Sequence, residues 1–107
     1  MTKPDQESKL KTLLSFLEDD PNDVFSHYAI AMEYERLRDV RRAIEQLHEV
    51  LRLDSSYIAA YQQLGRMYVC VDEQNNAAAI LNAGIALAEK IGDRHARQEM
   101  QESLDEL

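Results

Sequence analysis

The sequence predicts an all-α chain, a short α-solenoid of antiparallel helix pairs with about six helices. Two stretches match each other at an offset of 34 residues: Val24 maps to Ile58, Ile30 to Leu64, Ala31 to Gly65, Tyr34 to Tyr68, Ala43 to Ala77 and Leu47 to Leu81. Every pair keeps its size class, large on large and small on small. A period of this length is the signature of stacked units that bury their apolar faces only against their neighbours. Apolar residues recur at helical spacing throughout, and no alternating strand pattern competes. Only two prolines and three glycines interrupt the chain.

The elements follow in order from that spacing and its punctuation. Leu10, Leu13, Leu14 and Leu17 form one stripe, and Asp20-Pro21 ends the first helix, because a residue before proline disfavours helical dihedrals. Asn22 or Asp23 caps a second helix that runs to about Leu37, with Ile30, Ala31 and Tyr34 inward. Asp39 caps a third, with Ala43, Ile44, Leu47, Val50 and Leu51 on its apolar side. Ser55-Ser56 separates it from a fourth, which includes Tyr61, Leu64, Gly65 and Tyr68. Asp72 opens a fifth, carrying Ala77, Ile80, Leu81, Gly84, Ile85 and Leu87. Gly92 suits a left-handed helix end, and Asp93 caps a sixth helix that reaches the C-terminus. Connections this short force consecutive helices to lie antiparallel.

With 107 residues the chain is one domain at most. Two repeats alone are marginal, since roughly three are needed to bury a stable core, so flanking segments are expected to finish the stack. No run approaches the roughly 18 apolar residues of a membrane span, and the start, MTKPDQESKLK, lacks the apolar centre of a signal peptide. A cytoplasmic location is expected. The lone cysteine, Cys70, excludes an internal disulfide and fits a reducing compartment. A net charge of −8 repels duplex DNA and anionic membranes, so neither nucleic acid nor membrane is an expected partner. Arg36, Arg38, Arg41 and Arg42 cluster around Asp39, whereas the last stretch is acidic; both read as solvated helix surfaces.

Catalytic and metal-binding patterns are missing from the sequence. Gly65, Gly84 and Gly92 are isolated within helical pattern and make no phosphate loop. His48-Glu49 starts a zinc-hydrolase-like string, but Arg52 stands where its second histidine belongs. His27, His48 and His95 are too widely spaced to predict a shared metal, and Glu18-Asp19-Asp20 lacks the glycine and final glutamate of a calcium loop. No histidine lies near Cys70 in sequence to activate it. Neither an enzyme, a cofactor nor a metal is predicted.

Helix pairs at this period resemble the tetratricopeptide repeat. The second repeat presents Tyr61, Leu64-Gly65 and Tyr68 on its first helix, then Ala77, Leu81 and Gly84 on its second; the first repeat presents His27, Ile30-Ala31 and Tyr34, then Ala43, Leu47 and Val50. The small residues let helix axes approach, and the tyrosines fill the space between paired helices. The resemblance implies a right-handed solenoid with a half-repeat helix at 8–20, repeats at 22–55 and 56–90, and a charged capping helix at 93–107. His27 replaces the usual first aromatic, Val50 the late small residue, and Ser55 and Glu89 the closing proline. Leu10, Leu13, Phe16 and Leu17 lie 34 residues before Ile44, Leu47, Val50 and Leu51, so the first helix looks like the second half of a repeat. Lys9 stands where that half-repeat should have its small alanine. Beyond the second repeat the register slips: Gln98, Glu99 and Glu102 fall where the apolar positions should be, and Ala96, Met100, Leu104 and Leu107 carry the stripe instead.

The resemblance also implies that the first helix of each pair lines a concave groove. On the second helix of the chain this puts Phe25, Tyr28, Met32 and Glu35 in the groove; on the fourth it puts Ala59, Gln62, Arg66 and Val69 there. Phe25, Tyr28 and Met32 make an apolar stripe suited to adaptable binding, unless the C-terminal helix folds over it. Some members of the family grip a partner's C-terminal carboxylate with lysines, an arginine and asparagines. This chain has Tyr28, Met32 and Gln63 at those places, so that mode is not expected. The expected function is an adaptor or scaffold holding a peptide or helix of another protein. The alternative is a homodimer that buries the same stripe, or the N-terminal helix, in a symmetric interface.

Overall fold

The computed structural model describes the backbone of residues 4–107 and the side chains from Ser8 onward. Residues 1–3, the start of the stretch searched for a signal peptide, lie outside the described residues. Six helices are present among the described residues and no strand: α1 Pro4–Asp19, α2 Val24–Arg36, α3 Val40–Leu53, α4 Ile58–Cys70, α5 Gln74–Ile91 and α6 Arg94–Asp105. No helix of the described residues is long and apolar enough to cross a membrane. The helices gather into two compact units, α1 to α3 ending at Asp54 and α4 to α6 beginning at Ser55.

In the first unit α2 packs on both α1 and α3. Ile30 and Ala31 of α2, with Ala43, Leu47 and Val50 of α3, have no solvent exposure. Asp23 is the α2 cap, accepting from the Phe25 amide at 3.2 Å and from the Ser26 hydroxyl at 2.6 Å. Asp39 caps α3 through the Arg42 amide. His27, the substitute for an aromatic, is buried and acts as a polar strut. One ring nitrogen lies 2.8 Å from Gln46 Oε1 of α3, and the other 2.7 Å from the Pro21 carbonyl in the turn after α1. His48 and His95 are exposed.

Lys9 escapes the need for a small residue because its side chain reaches out and across to α2. Its Nζ stands 3.3 Å from Glu33 Oε1, which also takes an Arg36 hydrogen bond at 3.1 Å. Glu33 is buried at 3% exposure, a position its polarity would not predict. A buried carboxylate persists only where cations offset its lost hydration.

In the second unit α5 lies against α4, and α6 packs on both. Leu81, Ile85, Ala88, Ala96 and Met100 form its core, with Ile58, Tyr61, Ile80 and Leu104 at the margin. Gly65 lets α5 close in: a Cβ there would meet Leu81 Cδ2 at 2.6 Å. Gly84 does the same for α6, since a Cβ would meet Met100 Sδ at 2.5 Å and Tyr61 Cβ at 2.8 Å.

One expected boundary is corrected. Asp72 does not open α5; it sits in the turn at φ 61°, and Glu73 takes the cap position without a side-chain bond to the helix amides. The turn after α2 has the same form, with Arg38 at φ 65°. In both, the next amide reaches back to a tyrosine carbonyl at 2.8 Å, Asp39 to Tyr34 and Glu73 to Tyr68. The end of α5 repeats this with Gly92 at φ 77° and Asp93 bonded to the Ala88 carbonyl at 2.9 Å. All three are left-handed helix stops, but only one uses the glycine that announces such a stop in sequence.

The register slip also has a structural reason. Helix α5 runs 18 residues against 14 in α3 and the turn after it has two residues rather than four, so α6 begins 36 residues after α4 (Ile58 to Arg94), whereas α4 begins 34 after α2 (Val24 to Ile58). At an offset of 36, Ala60, Leu64 and Tyr68 map to Ala96, Met100 and Leu104, and burial matches pair by pair. Gly65 maps to Gln101, a larger, half-buried residue.

Candidate interaction groove

The expected groove residues fall into two groups, one in each unit. On α2, Phe25 is 76% exposed, while Tyr28, Met32 and Glu35 are half-buried. On α4, Gln62, Arg66 and Val69 share one face, and here the structure supplies a second wall. Helix α6 stands beside α4, and between them runs a groove of about 510 Å³. Gln62, Gln63, Arg66, Val69 and Cys70 form the α4 wall; Glu99, Ser103, Glu106 and Leu107 form the opposite one. Gly65, Leu81 and Met100 make the floor. Ala59, lying beyond the groove on α4, is not part of it.

Its geometry follows from spacing. Glu99, Ser103 and Glu106 are four and then three residues apart, which keeps them on one face of α6. Burying Ala96 and Met100 against α5 and α4 turns that face toward α4. Gln62 donates from its amide to Glu99 Oε1 across the groove at 3.2 Å, and Arg66 is held along α4 by the Gln63 carbonyl oxygen at 3.2 Å. Val69 remains 45% exposed at the rim. A floor of apolar side chains under polar walls gives both contact area and orientation to a bound segment.

The second wall was missed in the sequence because counting by 34 treated Glu99 and Glu102 as failed core positions. The signal that finds it is Ala96, Met100 and Leu104 recurring at helical spacing: it fixes the core face of α6, and the groove face lies beside it. No group of three or more histidine, cysteine or acidic side chains able to hold a metal occurs among the described residues.

No family model matches the sequence, and no curated protein is similar to it. Solved structures are. A tetratricopeptide repeat domain protein from Salinibacter ruber is 29% identical, with a TM-score of 0.75 over 81% of this chain and 88% of that one. The chain has the fold of a tetratricopeptide-repeat-like solenoid. A Bordetella parapertussis protein superposes over 99% of this chain and 88% of its own, with a TM-score of 0.80 at 20% identity. The TPR2B domain of yeast Sti1, solved in complex with a pHsp70 peptide, gives 0.84 at 17% identity, covering 94% of this chain and 80% of that one. These two likenesses are of fold. Within the family frame, Ala31 with Ala43 and Gly65 with Ala77 are the small residues of each pair, and all four are buried. Tyr34 and Tyr68 are half-buried beside them, Tyr34 with the Arg42 guanidinium 6.0 Å from its ring centre.

Proposed function

We propose that this tetratricopeptide-repeat-like chain is a binding module rather than an enzyme, an adaptor that holds a peptide or helix of another protein against its first-type helices, the first of each pair, α2 and α4. The groove between α4 and α6 carries the reading: an apolar floor of Leu81 and Met100, and the half-exposed Val69 at its rim. The complex of the Sti1 domain with a peptide supports it by analogy of fold. Phe25, Tyr28 and Met32 on α2 are a second contact area of the same kind, since aromatic and methionine side chains adapt to many partners.

The test is affinity capture comparing wild type with Val69→Glu and with Tyr28→Glu/Met32→Glu, all checked for unchanged helicity. A captured protein lost from a folded variant places it on that helix. If both variants retain every partner at wild-type yield, the groove assignment is wrong.

A second reading, a homodimer, draws on α1. Where α3 has Leu47 and Val50 without exposure, the matching residues of α1 are a half-buried Leu13 and a Phe16 that is 50% exposed. An antiparallel pair of α1 helices would cover this stripe and set Lys9 and Lys11 of one copy against Glu18 and Asp19 of the other. The expected result is a melting temperature that rises with protein concentration and a dimer mass by light scattering. A monomer with a concentration-independent melt removes this reading.

A further inference from the structure

We infer that the α4–α6 groove selects a basic segment: a peptide with two lysine or arginine side chains flanking an apolar one. This rests on the binding-module reading and specifies its partner. The α6 wall presents two carboxylates, Glu99 and Glu106, and neither is neutralised by lysine or arginine. Glu99 contacts the Gln62 amide and the His95 ring, at 3.2 and 3.1 Å. Glu106 has no side-chain hydrogen bond or ion pair. Across the groove the cation is Arg66, already engaged by Gln63 at 3.2 Å. The balance of charge inside the groove is therefore negative, on a chain whose net charge is also −8. A free carboxylate or an acidic peptide entering it meets the two carboxylates of Glu99 and Glu106 against the single guanidinium of Arg66.

Spacing narrows the partner. Glu99 and Glu106 are two helical turns apart, about 10 Å along α6. Lysines seven residues apart on a partner helix span the same distance, with a leucine midway between them over the Leu81–Met100 floor. The apolar contact supplies area, and the paired charges supply register and a faster encounter.

The experiment uses the full chain and three labelled 12-residue peptides followed by fluorescence anisotropy. The first has lysines seven apart around a central leucine. The second replaces both lysines with glutamate, and the third replaces only the leucine with serine. Alkylation of Cys70, the sole cysteine, is a second readout, because it lines the groove and is exposed. The basic peptide is expected to bind, to slow alkylation, and to weaken about tenfold against Glu99→Gln/Glu106→Gln. The serine peptide should also bind less tightly. Glu45→Gln/Glu49→Gln on α3 removes the same charge elsewhere and should leave binding unchanged.

If the α3 variant weakens binding as much as the α6 variant, overall charge is responsible and the inference falls. If the glutamate peptide binds as well and protects Cys70, the groove binds peptides but not by this charge rule. If no peptide binds or protects Cys70, both the inference and the groove reading fall.

Discussion

Ala77→Arg is expected to unfold the second unit, and Ala43→Arg the first. Both alanines have no solvent exposure and sit on the apolar face of the second helix of a pair. An arginine there must push the helices apart and bring a charge into the space. Overpacking costs about 1–3 kcal/mol, and burying an unpaired polar group costs about 1–3 kcal/mol more on protein scales. A domain of this size has on the order of 5–15 kcal/mol in total, so either substitution removes a large share of it. Chemical denaturation followed by circular dichroism checks this. A variant with the wild-type midpoint would refute the repeat alignment itself, since the alignment is what puts the alanines at the helix crossing.

Gly84→Ala is expected to lose more stability than Gly65→Ala, although both substitutions raise helix propensity by about 1 kcal/mol. At Gly84 the new methyl meets Tyr61 Cβ at 2.8 Å, an atom fixed to the α4 backbone, as well as Met100 Sδ at 2.5 Å. Methionine can swing aside, but Tyr61 Cβ moves only if α4 moves. At Gly65 the nearest atoms all belong to the Leu81 side chain, which can rotate at some cost in its core packing. The net loss should be about 2 kcal/mol for Gly84→Ala and below 1 kcal/mol for Gly65→Ala. For a domain of this size the first lowers the melting temperature by roughly 10 °C. Equal melting temperatures for the two variants would mean that α4 yields easily and that the close approach of α6 is not rigid.

The repeat was legible because its constraints are local and periodic. Helix crossings at close range demand small side chains, so Ala31, Ala43, Gly65 and Ala77 stand out at one offset. Aspartates at helix starts were equally readable, and Asp23, Asp39 and Asp93 all accept from the amides of their helices. Asp72 was misread because aspartate serves two roles, as a cap and as a residue that tolerates positive φ. The residue type alone does not separate these; the helix-ending bond from the Glu73 amide to the Tyr68 carbonyl does. The burial of Glu33 is hidden in the sequence for a related reason. Its cations come from Lys9 on another helix and from Arg36 one turn on, and only their convergence makes burial tolerable.

Half of the candidate groove was likewise visible and half was not. Gln62, Arg66 and Val69 follow from their place on a first-type helix, which the 34-residue match establishes. Glu99, Ser103 and Glu106 become a wall only when α6 has docked, and that docking depends on Met100 lying over Gly84. Helix identity, pairing and the small-residue crossings are thus matters of sequence, because they arise from periodicity within each segment. The sign of the groove's charge and the position of its second wall belong to the packed chain, because they depend on which face of α6 the core consumes and which it leaves to solvent.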